Sequence, residues 1–195
     1  MIDSFFRAPV QKTLIDPMAW LLARFGVSPL LLTALASLVG VAAMPLIAYG
    51  FQGPALACLL LSGYLDAVDG SVARRLQRSS DFGAACDICS DRLVESCTIM
   101  GLCLYAPAIR GPYCLAMLSA VVLCVTTFLV VGIFTQNSGM KSFHYSPGLM
   151  ERAEAFLFFG AMILWPSAFF PLSILFTVLV LWTALQRLVQ FGKQS

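Results

Sequence analysis

Between Gly63 and Cys97 the chain reads GYLDAVDGSVARRLQRSSDFGAACDICSDRLVESC. Asp66 and Asp69 stand three residues apart, and Asp87 and Asp91 four apart, so on helices each pair shares one face. Both pairs fall in apolar segments, where an unpaired charge at depth costs at least about 2.5–3.5 kcal/mol and marks function by default. Four converging carboxylates demand positive charge. Divalent metal supplies it, because carboxylate oxygens are hard ligands suited to Mg²⁺, Mn²⁺ or Ca²⁺. Four carboxylates neutralise two such ions, and paired ions about 3.5–4 Å apart clamp the oxygens of a phosphoryl displacement. A salt-bridge network with Arg74, Arg75 and Arg92 is the plainer account, but it leaves the surrounding small residues unexplained. Gly70 and Ala73 keep the helix face beside Asp69 bare, and Gly83 does the same one turn before Asp87. A bulky flat group fits against such a backbone, and Arg74 is placed to hold phosphate oxygens bidentately. These residues describe a phosphate-and-metal site with room for a nucleobase.

Elements long enough to carry this site run through the whole chain. Of 195 residues 59% are hydrophobic and 11% charged, against about 25% charged in an ordinary soluble domain. Six apolar stretches, roughly 28–50, 53–75, 83–106, 113–135, 149–166 and 169–190, each approach the ~20 residues that cross a ~30 Å hydrocarbon core as a helix. None alternates with period two, which excludes barrel strands. The expectation is an all-α integral membrane protein, a six-span bundle over 28–190 within a single domain of residues 1–195. Asp66 and Asp69 then sit in the second span and Asp87 and Asp91 near the start of the third, joined by a short polar turn that brings the pairs together. Residues 5–24 differ from the spans: Val10, Leu14, Met18, Leu21 and Leu22 form an apolar stripe of helical period. They predict an amphipathic helix in the interface plane, opened by Pro9 and bent or interrupted at Pro17.

Ten Lys and Arg residues fall before the first span, between the second and third, around the start of the fifth, or at the end of the chain. The opposite turns hold only Arg110. The positive-inside bias therefore puts both termini and the acidic site in the cytoplasm. The seven cysteines lie in or beside apolar segments. Cys86 and Cys89 have CxxC spacing, but no second pair or ligand histidine accompanies them, so they read as small helix residues. The chain has no cleavable secretory signal pattern and no repeat of the kind that builds inverted-repeat transporters.

The run Asp66-x2-Asp69-Gly70-x2-Ala73-Arg74-x8-Gly83-x3-Asp87-x3-Asp91 resembles the signature of the CDP-alcohol phosphotransferase family at every specified position. The resemblance implies that Asp66, Asp69 and Asp87 bind metal, that Asp91 helps hold a second ion, and that Asp91 deprotonates the acceptor hydroxyl. Gly70, Ala73, Arg74, Ser80 and Gly83 would meet the CDP-alcohol, as would Thr33 in Pro29-Leu30-Leu31-Leu32-Thr33, where Leu30 replaces the family's Asn or Asp. Two Mg²⁺ or Mn²⁺ ions per site, CDP-diacylglycerol as donor, membrane lipid surroundings and a homodimer are implied in the same way. Nucleic acid is not an expected partner.

The acceptor is read from Gly148-Leu149-Met150-Glu151-Arg152-Ala153-Glu154, which resembles the GLxERxER run of synthases acting on inositol phosphate. Ala155 replaces that run's second arginine, and Val131–Asn137 holds no Lys/Arg pair. Lys141 and Arg152 are the candidate acceptor ligands, with inositol phosphate ahead of glycerol 3-phosphate and an unphosphorylated polyol also open. A small cation transporter with an acidic pathway is the rival class, but it has no use for Gly70, Ala73, Gly83 or Arg74. A catalytically dead homologue would be missing signature residues, and none is missing.

Overall fold

The computed structural model describes residues 11–134, 150 and 152–193. Among them every regular element is helical: a π-helical turn Gln11–Ile15, α1 Asp16–Arg24, α2 Pro29–Ala48, α3 Gln52–Arg75, α4 Asp81–Tyr105, α5 Pro107–Phe134, α6 Arg152–Leu164, a 3-10 turn Pro166–Ala168 and α7 Phe169–Gly192. The chain forms two compact units, one reaching to Ala108 and the other starting at Ile109.

The all-α integral membrane expectation holds, but the count of six spans is corrected. Among the described residues four helical segments are long and apolar enough to cross a membrane: Pro29–Ala48, Gln52–Arg75, Pro107–Phe134 and Pro166–Gly192. The stretch at 83–106 does become a helix of 25 residues, α4. It carries Asp81, Asp87, Asp91, Arg92 and Glu95, which make it too polar to face lipid on its own. The stretch at 149–166 yields α6, only 13 residues long. At 1.5 Å per residue that is about 20 Å, well short of the core thickness. An apolar count over a window sees neither where a helix begins nor which of its residues are charged.

In the first unit α2 is the shared partner of α3 and α4. Small residues permit the approach. A Cβ on Gly40 would lie 2.5 Å from the Val94 side chain and 2.7 Å from Ser62 Oγ. One on Gly101 would lie 2.7 Å from the Met44 carbonyl oxygen. Ser62 Oγ donates to the Ala36 carbonyl at 2.7 Å, tying α3 to α2 at the same level. Pro29 occupies the first turn of α2, behind Ser28 in extended conformation, where its missing N–H costs nothing. Gly50, at φ 80°, turns the chain from α2 into α3.

The leader behaves differently from the expectation at Pro17. The proline lies in the first turn of α1, so it starts a helix instead of bending one, and the residues before it wind as the π-helical turn. Ile15 and Ala19 are buried against Leu32, Val68 and Val72. Leu14, Met18, Trp20 and Leu21 are exposed on the other side. The apolar stripe read from sequence is thus mostly the outward face, and Val10 lies outside the described residues. In the second unit packing is aromatic: Phe176 stacks with Phe158 and Phe159, and Tyr113 meets Phe169 and Phe170 edge-on. Arg110 is buried there, its guanidinium 4.3 Å over the Phe169 ring and donating to the Pro166 carbonyl at 3.1 Å.

Candidate active site

The end of α3 and the start of α4 build the site. Asp66, Asp69 and Asp87 each place a carboxylate oxygen within 4.8 Å of the others. Asp69 is buried, at 5% exposure. Oδ1 of Asp87 is buried and accepts no hydrogen bond, and this carboxylate faces the charges of Asp66, Asp91 and Asp69. Hard oxygen donors crowded in this way, one of them with unused lone pairs, fit a divalent cation. Asp91 lies next to this triad without being part of it.

The arginines of the salt-bridge account are engaged elsewhere. Arg92 pairs with Glu95 at 2.5 Å, Arg75 with Asp16 at 3.7 Å, and Arg74 Nη2 donates to Ser71 Oγ at 2.9 Å.

Beside the triad opens a cavity of about 300 Å³, in the size range of small-molecule sites. Asp69 and Asp87 form part of its wall, together with Thr33, Gly70, Ala73, Arg74, Ser80 and Gly83. Thr33 Oγ1 lies 2.6 Å from Asp69 Oδ2 and 3.1 Å from the Pro29 carbonyl. Its single proton goes to the nearer, charged oxygen, so the hydroxyl holds Asp69 in place. Ser80 is the N-cap of α4 and accepts from the Gly83 N–H at 3.1 Å, which leaves its own proton free for donation into the cavity. A Cβ on Gly70 would meet Arg74 Nη1 at an ordinary 3.5 Å. The protein itself therefore tolerates a larger residue at this position.

Sequence reasoning did not single out Arg78, Ser79 or Ser28, which also line the cavity. Arg78 arrives there because α3 ends in a Schellman turn. The Arg78 N–H bonds to the Ala73 carbonyl and the Gln77 N–H to that of Arg74, with Gln77 at φ 52° where glycine is usual. Leu30 is at the wall as well, an apolar residue facing the nucleotide-sized space. Ser37 and Ser90 were also missed. Their hydroxyls are in direct contact between α2 and α4, one residue from Asp91, and Ser37 donates to the Thr33 carbonyl. Hydroxyls this common in membrane helices carry no signal before the helices are packed.

The acceptor candidates both fall in the second unit. Arg152 opens α6 with its guanidinium 5.6 Å over the Phe156 ring, and Lys141 lies outside the described residues. Cys86 is half-buried, Cys89 exposed, and both are free thiols. Both lie on α4, a helix packed against α2.

The model of the CDP-alcohol phosphatidyltransferase family matches residues 26–189. The chain belongs to that family. Inner membrane protein YnjF of Escherichia coli is 32% identical over 92% of this chain and 90% of its own. Archaetidylinositol phosphate synthase of Methanothermobacter thermautotrophicus is 30% identical over 79% of this chain and 72% of its own. Among solved structures, Mycobacterium tuberculosis phosphatidylinositol phosphate synthase superposes with a TM-score of 0.69 at 24% identity, covering 92% of this chain and 89% of that one, in a crystal with manganese and citrate. The fold is shared with that synthase. Within this family the acidic cluster of α3 and α4 is a divalent-metal site, and the chain is a metal-dependent phosphatidyltransferase of the membrane.

Proposed function

We propose that the enzyme transfers the phosphatidyl group of CDP-diacylglycerol to the hydroxyl of inositol phosphate, releasing CMP. The observation that carries the reading is one wall: Asp69 and Asp87 of the metal-binding triad and the whole expected nucleotide set share a single cavity. Asp66, Asp69 and Asp87 hold one ion and Asp91 helps hold a second. The metal supplies positive charge for the phosphate oxygens. Arg74 and Ser80 bind and orient the pyrophosphate, while Gly70 and Ala73 give the cytosine a flat floor.

Asp91 takes the proton of the acceptor hydroxyl as its oxygen bonds to the lipid-side phosphorus. The bond from that phosphorus to the bridging oxygen breaks, and CMP leaves. Two relatives support the acceptor: the archaeal one is an archaetidylinositol phosphate synthase, and the mycobacterial structure, also determined with CDP-diacylglycerol bound, is a phosphatidylinositol phosphate synthase. Lys141 and Arg152 are the proposed ligands of the acceptor phosphate. The ends of the α2–α3 hairpin carry Arg24, Arg74, Arg75 and Arg78, which supports a cytoplasmic site and cytoplasmic termini. Both units act as one catalytic domain, and the working form is a homodimer.

The test is incubation of purified enzyme with CDP-diacylglycerol and a panel of inositol phosphate, glycerol 3-phosphate, inositol and serine, followed by lipid mass spectrometry. Phosphatidylinositol phosphate is the expected product. Phosphatidylglycerol phosphate as the sole product would move the acceptor assignment, and no CMP release with any alcohol would overturn the transferase reading.

A further inference from the structure

Four residues join the leader to the cavity. Gln11 Nε2 donates to Asp16 Oδ1 at 2.9 Å and to Ser71 Oγ at 3.0 Å. Ser71, buried at 3% exposure, donates its proton to the Ala67 carbonyl at 3.2 Å and accepts from Arg74 Nη2 at 2.9 Å. A hydroxyl has one proton and two lone pairs, so the Ser71 oxygen is saturated. That saturation also fixes the Gln11 amide. Both of its partners can only accept, and the nitrogen must face them. Asp16 in turn pairs with Arg75, Tyr64 donates to the Leu14 carbonyl at 3.0 Å, and Ile15 and Ala19 are buried against Val68 and Val72. The leader is thus fastened around a single polar chain that ends on a guanidinium of the cavity wall.

We propose that Gln11 and Ser71 are positioning residues for Arg74, so that docking of the leader sets the affinity of the site for its CDP-lipid. The inference rests on the reading of the cavity as the CDP-lipid site. An arginine side chain has many rotamers, so holding it in one of them before the ligand arrives lowers the entropy cost of binding. Holding one nitrogen on Ser71 aims the opposite edge of the guanidinium over Gly70, where Nη1 lies. Gln11 keeps the Ser71 oxygen in that geometry from outside α3. Neither residue touches the reacting atoms, and their effect falls on donor binding alone.

The experiment is a double-mutant cycle in the full-length enzyme, read as separate KM values for CDP-diacylglycerol and for the acceptor. Gln11→Met keeps the side-chain length and removes the donors, and Ser71→Ala removes the acceptor. Each should raise the KM for CDP-diacylglycerol about 3- to 10-fold, the value of one ordinary net hydrogen bond, with the acceptor KM unmoved. In an Arg74→Ala background Gln11→Met should add nothing further. An equal effect with and without Arg74, or a parallel rise in both KM values, would overturn the proposal and leave the cavity assignment standing. No change from Arg74→Ala itself would overturn that assignment, and the inference with it. Gln11→Met lies on the leader, outside the α2–α3–α4 packing, so a folding defect in Ser71→Ala does not remove the test.

Discussion

The two units differ in how far their hydroxyls reach. In the second, most hydroxyls bond to the preceding turn of their own helix: Thr126 to Val122, Thr127 to Cys124, Ser173 to Phe170, Thr177 to Ser173 and Thr183 to Leu179. Such bonds satisfy the hydroxyl without asking anything of a neighbouring helix. Packing there is left to rings, and among the described residues the three phenylalanines that are fully buried, Phe159, Phe169 and Phe176, all belong to this unit. In the first unit polar groups reach across. Thr33 holds Asp69, Ser37 meets Ser90, Ser62 bonds to the Ala36 carbonyl and Gln11 to Ser71. Cross-helix bonds between membrane helices are worth about 1 kcal/mol or less each, so they do not explain the unit's stability. They fix register and rotation, which is what a cluster of three carboxylates within 4.8 Å of one another requires. Side-chain to side-chain hydroxyl bonds between helices gather around the acidic cluster at Thr33–Asp69 and Ser37–Ser90, whereas bonds within a helix occur in both units.

Removal of metal should produce the largest effect and should fall wholly on the first unit. EDTA is expected to abolish CMP release and Mg²⁺ or Mn²⁺ to restore it, with the far-ultraviolet helical signal unchanged. Full activity in chelator would break the account of the triad. Asp91→Asn comes next: kcat should fall by about 10²–10⁴, the usual contribution of a positioned base, while calorimetry still detects CDP binding. Asp66→Asn should instead weaken metal affinity, so that excess Mg²⁺ recovers part of its loss. Normal turnover by Asp91→Asn would place the base elsewhere.

Smaller effects sharpen the contrast between cavity and packing. Gly70→Ala should leave thermal unfolding in detergent unaltered, since its Cβ meets only ordinary contacts, yet raise the KM for CDP-diacylglycerol at least about tenfold by filling the floor under the nucleotide. Phe176→Ala in the second unit should do the reverse. It should cost about 3–5 kcal/mol of stability and leave the donor KM of the surviving fraction near wild type. Gly40→Ala is the mildest. Its Cβ must displace Val94 or Ser62, and overpacking of this kind costs about 1–3 kcal/mol, read as a lowered melting temperature.

Residue type and helical spacing were enough to single out Asp66, Asp69, Asp87 and Asp91 as candidate ligands with Gly70, Ala73, Arg74 and Gly83 beside them, whereas Ser80 entered only through the family resemblance; the structure gathers the first three carboxylates. A helix places residues three and four apart on one face whatever it packs against, and a carboxylate in an apolar run has few bland explanations. Hydropathy likewise announced a helical membrane protein. It overstated the spans because α4 owes its burial to neighbours and not to its own composition, and because α6 begins later than its apolar run suggests.

Tertiary structure decided the rest. That α2 lies against both α3 and α4 depends on Gly40 and Gly101, two of fourteen glycines that look alike in the sequence. That Thr33 serves Asp69, that Arg78 returns to the cavity through the turn at Gln77, and that Gln11 reaches Ser71 are contacts between residues up to 60 positions apart. The physical reason is the range of the interactions. Ligand type and helical periodicity are local properties of the chain, whereas a hydrogen bond across helices exists only after their rotation and depth have been set by packing along their whole length.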